Sequence, residues 1–281
     1  NNEEGKGTTI MILAPHLPAE APIVAKALTE NLLWNFWPRM MANTPHGKKL
    51  EAYVGDEKGD WQTTPSPESF PPIDVLCKAK NALRNSGDET DDVSLHEILC
   101  KTPRRLLGHM AIAKSKAGMR KWLLPPRTTE GGDVLSSIIP ERLCHVALMR
   151  PAELVVRYEQ GVPSDSADED WGGVFVCSTD KEVEHAFVKS EPPAHDDWQP
   201  EALPRKSLDR RFVNVALRRI RERLIESTNI AESSSADQGP LAIPSSALGR
   251  FLSGARGEGA GPEPGTGGKS RPLQTYTQPK P

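Results

Sequence analysis

At 281 residues, with 37% hydrophobic and 26% charged residues, the chain has the composition of a soluble globular protein, long enough for one sizeable core and a tail. A net charge of -3 and a pI near 6.2 exclude a global attraction to nucleic acid or anionic membrane, so any such binding must be local. No apolar run approaches the roughly 20 residues of a membrane span, and the N-terminus lacks the basic-then-apolar layout of a signal peptide; the expected compartment is the cytoplasm, with no membrane partner.

The chain begins at Asn1 with Glu3, Glu4, Gly5, Lys6, Gly7, Thr8 and Thr9, then turns apolar from Ile10 to Ala14 and meets Pro15, which reads as a glycine hinge entering a strand. Pro18 to Pro22 sets up a helix start, with proline tolerated in the first turn and Glu20 favourable at the positive end of the helix dipole. Ile23, Val24, Ala27, Leu28, Leu32 and Phe36 recur at helical spacing to about Trp37, where Pro38 is expected to stop the helix. The aromatic cluster Trp34, Phe36 and Trp37 fits docking on a sheet better than an exposed binding patch.

Lys49 to Val54 reads as a short strand. Gly55 to Pro72, rich in Gly, Pro and Ser and carrying Trp61 and Phe70, reads as a long loop suited to a ligand or partner surface. The spacing predicts a helix over Ile73 to Arg84, strands over Val93 to Cys100 and Leu106 to Lys114, a hairpin of Leu143 to Met149 with Leu154 to Tyr158, and a strand over Gly172 to Ser178. Thr179 and Glu182 form a capping-box pattern that opens a further helix. A long last helix follows, with Phe212, Val213, Ala216, Leu217, Ile220 and Leu224 on one face and a basic opposite face. Beyond Ser227 the composition shifts to Ser, Gly and Pro, and residues 231–281 read as a linker or disordered tail, with a brief helix over Leu241 to Leu252. The fold class expected is α+β, a mixed, largely antiparallel sheet with helices packed on one face.

Gly5 to Thr9 entering an apolar strand resembles the closing strand of the Bergerat ATP-binding fold shared by histidine kinases, gyrase B subunits, MutL and MORC proteins (the GHKL class). The stretch Glu191 to Trp198 is similar to bacterial proteins of that class. The resemblance implies that residues 1–14 end an upstream ATPase domain and that 15–230 form a transducer-like domain. It also implies that ATP and magnesium belong to the parent protein, with no cofactor in this portion. It would place Gly7 and Thr8 beside the nucleotide and looks to Lys114, Lys116 or Lys121 for the basic residue that a transducer extends to the terminal phosphate, against the plain reading of a solvated lysine-rich turn.

No complete enzyme constellation is present, and no catalytic residue is assigned. Cys77, Cys100, Cys144 and Cys177 lack a C-x-x-C pair and read as small buried hydrophobes rather than zinc ligands. Cys144 and His145 adjoin on a strand, where alternation sends them to opposite faces and argues against a nucleophilic dyad. His195, Asp196 and Asp197 offer metal-ligand chemistry, but neighbours in an extended segment diverge; an aspartate capping a local turn with Trp198 as anchor is the favoured reading. The strongest signal is basic: Arg205, Lys206, Arg210, Arg211, Arg218, Arg219, Arg221 and Arg223 stand against Asp209 and Glu222 alone. Forked guanidinium donors along one helix suit a phosphate backbone, and a solvated face paired with acidic loops accounts for them as well.

The expectation is therefore a non-catalytic transducer or interaction module. Its partners are an upstream ATPase domain, a nucleic acid or protein met through Arg210, Arg211, Arg218, Arg219 and Arg221, and a second copy of the chain. The alternatives are a nucleic-acid-binding module without an ATPase, and a metal-dependent hydrolase at His195.

Overall fold

A computed structural model describes residues 19–55, 61–85, 90–120, 123–125 and 135–233, with side chains of the last helix described as far as Glu226. The expected N-terminal strand and residues 234–281 of the expected tail lie outside the described residues, whereas residues 231–233, expected to belong to that tail, continue the last helix. The chain divides into two compact units, Asn1–Asp237 and Gln238–Pro281, and every described residue belongs to the first.

Helix α1 (Ala21–Met40) carries Pro22 in its first turn as expected but continues past Pro38, which sits in its last turn. A proline there removes the N–H that would reach the carbonyl of Trp34. The Tyr158 hydroxyl supplies that bond instead, donating to Trp34 O at 2.5 Å while accepting from Trp37 Nε1 at 3.0 Å. Trp34 and Trp37 are buried, so the aromatic cluster belongs to the core and only Phe36 shows an edge to solvent.

The strand expected over Lys49 to Val54 shrinks to β1 (Tyr53–Val54), and the expected loop contributes β2 (Gln62–Thr63), which pairs antiparallel with it. A 3-10 turn at Pro67–Ser69 leads to α2 (Ile73–Arg84), at the bounds its periodicity predicts.

The remaining strands build one sheet: β3 (Val93–Lys101), β4 (Arg104–Lys116), β5 (Cys144–Met149), β6 (Val155–Gln160) and β7 (Glu169–Cys177). Their spatial order is β3-β4-β7-β5-β6. Both hairpins are antiparallel, β7 runs antiparallel to β4, and only the β5–β7 pair is parallel, so the sheet is mixed and largely antiparallel and the fold is α+β.

Alternation along each strand divides the core in two. Met110, Ile112, Val146, Leu148 and Phe175 face α3 (Lys181–Ser190) and α4 (Leu208–Ser233). Ala111, Ala113, Ala147, Met149 and Val174 face α1 and α2. Helices thus cover both faces, which corrects the one-face expectation: inner strands such as β5 and β7 are apolar at nearly every position and require two covers. The cap of α3 also differs from expectation. Asp180, not Thr179, accepts from the backbone N–H groups of Glu182 and Val183, at 3.0 and 3.2 Å. Among the described residues no helix is long and apolar enough to cross a membrane.

Candidate nucleic-acid interface

Helix α4 is held by the stripe Phe212, Val213, Ala216, Leu217, Ile220 and Leu224, all buried against α3 and the sheet. That stripe turns the intervening positions outward, and the sequence fills them with arginine. One edge of α4 lies beside the end of β3. There Arg211 Nη1 donates to the backbone carbonyl of Thr102 at 3.0 Å, fixing the helix to the turn between β3 and β4.

Between that turn and α4 runs a groove of about 280 Å³, lined by Lys101, Thr102, Arg211, Val215, Arg218 and Arg219. It brings four cations together. Arg218 and Arg219 share one carboxylate, Glu222, at 3.6 and 2.7 Å. Lys101 and Arg211 have no carboxylate partner among the described residues, which leaves a surplus of three positive charges (four cations less Glu222). Arg104, exposed on the adjoining turn, adds to the field. A groove with low-dielectric walls focuses such a field outward.

The five arginines expected to meet a partner therefore divide. Arg211, Arg218 and Arg219 line the groove. Arg210 is turned back, donating to the carbonyl of Leu203 at 3.2 Å as a clasp on the preceding turn. Arg221 Nε binds Glu159 Oε1 of β6 at 2.6 Å, and Arg223 binds Glu226 at 2.5 Å. On the other side of Val215 and Arg218 opens a second cleft of about 410 Å³, bordered by Asp197, Gln199, Glu201, Asn214 and Arg221. Sequence reasoning missed the contribution of the β3–β4 turn, although Lys101, Arg104 and Arg105 place three cations in five residues there. Nothing local singled out Gln199 or Asn214; only the fold brings them to one cleft.

Lys114 and Lys116 lie at the far end of β4. Lys114 Nζ is 3.8 Å from Glu169 and its carbonyl accepts from Lys78 Nζ at 3.0 Å, while Lys116 is exposed. Counted along the strand from Arg104, Lys116 is about 40 Å away at the usual rise per residue. The expected nucleotide-proximal lysines and the basic groove thus sit at opposite ends of one strand. Gly7, Thr8 and Lys121 lie outside the described residues.

His195, Asp196 and Asp197 do not converge. His195 adopts a φ of 55°, and its Nδ1 meets Glu191 Oε2 at 2.8 Å. Glu191 in turn binds Arg150 and accepts from Trp198 Nε1. Asp197 Oδ1 instead takes the backbone N–H of Trp198 at 2.7 Å and Arg157 Nη1 at 2.6 Å, and Asp196 is exposed. This is the turn with a buried tryptophan anchor, and among the described residues no group of three or more metal-ligating side chains gathers anywhere.

The four cysteines are free and buried. Burial pushes the Cys77 thiol well up, raises Cys144 and lifts Cys177 to about 12. Cys144 Sγ lies 4.0 Å from His145 Nδ1, but Cys144 joins the α3/α4 core while His145 packs edge-on to Trp34 and Tyr158. Burial lowers the His145 imidazole to about 4, so both groups are neutral at pH 7 and no thiolate–imidazolium pair forms.

No family model matches the chain, and no curated protein or solved structure matches it.

Proposed function

We propose that this chain is a non-catalytic interaction module that binds nucleic acid through the basic groove between α4 and the β3–β4 turn, and that it couples that binding to an upstream Bergerat-type ATP-binding domain. The observation that carries the binding half is the surplus of cations at Lys101, Arg211, Arg218 and Arg219 on a chain whose net charge is -3. Phosphates are the complementary ligand for forked guanidinium donors, and such contacts carry affinity without demanding sequence. The coupling half rests on the likeness of Gly7 and Thr8 to the last strand of that ATPase class and on the run of β4 from Arg104 to Lys114 and Lys116. Within this reading ATP and magnesium are held by the parent protein, Lys114 or Lys116 reports on the nucleotide, and the protein works in the cytoplasm.

Labelled oligonucleotides, single-stranded and duplex, test the binding half by fluorescence anisotropy between about 50 and 200 mM salt. The wild-type slope of log affinity against log salt is expected at about -2 to -3.6 across the single strand and the duplex, for three to four phosphate contacts. Reversing Arg211 and Arg218 to glutamate is expected to weaken binding more than tenfold and flatten that slope. Failure to bind either oligonucleotide, or a slope untouched by the reversals, rejects it. For the coupling half, the reading frame upstream of Asn1 is expected to encode an acidic-x-x-x-Asn helix, an Asp-x-Gly motif and a glycine-rich lid; a stop codon next to Asn1 removes the ATPase and leaves the binding half standing.

A further inference from the structure

We infer that the nucleic acid taken by this surface is single-stranded, with a phosphate in the basic groove and the attached base in the neighbouring cleft across Val215 and Arg218. The inference rests on the binding half of the reading above and specifies its ligand. Two depressions of unlike chemistry adjoin. The groove of about 280 Å³ presents Lys101, Arg211, Arg218 and Arg219. The cleft of about 410 Å³ presents the exposed amides of Gln199 and Asn214, the carboxylate of Glu201, and Arg221, already bound to Glu159.

The contrast matches the two halves of a nucleotide. A phosphate is drawn to the groove, with its surplus of three positive charges, in preference to the cleft, where Asp197 is paired with Arg157, Arg221 is paired with Glu159, and Arg218 faces Glu201, leaving no net charge. A base is neutral and edged with donors and acceptors, and each amide offers both kinds of group in one plane. The cleft volume falls within the roughly 300–1,000 Å³ of small-molecule sites, and it is concave. A duplex keeps its bases stacked inside a convex rod, whereas recognition in such a recess needs a base splayed out from a single strand.

Arg218 lines both depressions, and its Nε is only loosely paired with Glu222, at 3.6 Å with 63% of the side chain exposed. It is therefore free to lay its guanidinium plane against a base while an adjacent phosphate meets Arg211 and Arg219. Arginine planes serve as stacking platforms for unpaired bases.

Anisotropy titrations of the full chain with a fluorescein-labelled strand of about 16 nucleotides, and with the same strand annealed to its complement, test this. The single strand is expected to bind about tenfold or more tightly than the duplex. Asn214→Ala combined with Gln199→Ala, both exposed positions, is expected to weaken the single strand about fivefold or more without changing the salt slope or the circular dichroism spectrum. The same pair of substitutions should leave the duplex unaffected. Duplex binding as tight as or tighter than the single strand overturns the inference while the nucleic-acid reading survives, as does a single strand indifferent to both amide substitutions. Loss of all binding for both forms overturns the two together.

Discussion

Tyr158 joins pieces of the chain that neither its own sequence neighbourhood nor theirs would connect. Its hydroxyl accepts from Trp37 Nε1 and donates to the Trp34 carbonyl that Pro38 leaves unpaired, and its ring stacks on Trp34 at 4.0 Å between centroids. Burial pushes the phenol far above its ordinary range, so it remains a donor at every working pH. Tyr158→Phe keeps the stack but orphans a buried N–H and a buried carbonyl; an expected loss of about 1–3 kcal/mol is read by urea denaturation. His145 packs edge-on to the same two rings, and its Nδ1 accepts from the Cys144 N–H at 3.3 Å. Its folded pKa of about 4 lies below the 6.5 of the free side chain, so the unfolded chain binds the proton more tightly. Stability from this site is complete above pH 6.5 and declines as pH falls toward 4, by about 2 kcal/mol at pH 5. Denaturation midpoints at pH 7 and pH 5 should therefore differ in the wild type and draw together in His145→Phe; an equal acid shift in both proteins would place the sensitivity elsewhere.

Among the elements, β4 carries the most. At 13 residues it is the longest described strand, pairing with β3 on one side and β7 on the other and joining the groove to the Lys114 end. Gly108 permits the close approach to β7: a Cβ there would stand 2.4 Å from the Val176 carbonyl oxygen and 2.6 Å from the Phe175 ring. Gly108→Ala is expected to cost about 1–3 kcal/mol or more by overpacking, checked by thermal melting. Period and punctuation made much of this legible: the apolar positions of α2 and α4 and the alternation in β3 and β4 mark real buried faces. The misses have local physical causes. Pro38 reads as a stop because its compensating donor lies 120 residues on, at Tyr158. Thr179 and Asp180 are both competent caps, and backbone geometry one residue apart decides for Asp180. The arginines of α4 read as one basic face, but which of them are free depends on Glu159, Thr102 and Leu203, contributed by three other parts of the fold.

For the whole molecule, the covering of both sheet faces follows from strand order together with composition: the order makes β5 and β7 inner strands, and their apolar residues need a cover on each face. Two hairpins, β3–β4 and β5–β6, are local, and β7 enters between them to touch β4 and β5 at once. The parallel β5–β7 pair draws in helices on each side, leaving the two cores with only the sheet between them. Legibility ends at this scale, because no local pattern announces that the last described strand becomes the middle one of the sheet in space. That placement bears on how the protein is made. A ribosome releases β3 through β6 before β7 emerges, and until then the two hairpins share no strand pairing and expose the flanks that β7 will later fill. The sheet is assembled by its final segment in a single late step, so a message that ends before Glu169 yields two unjoined hairpins with open edges, a product for proteases rather than a smaller version of the fold.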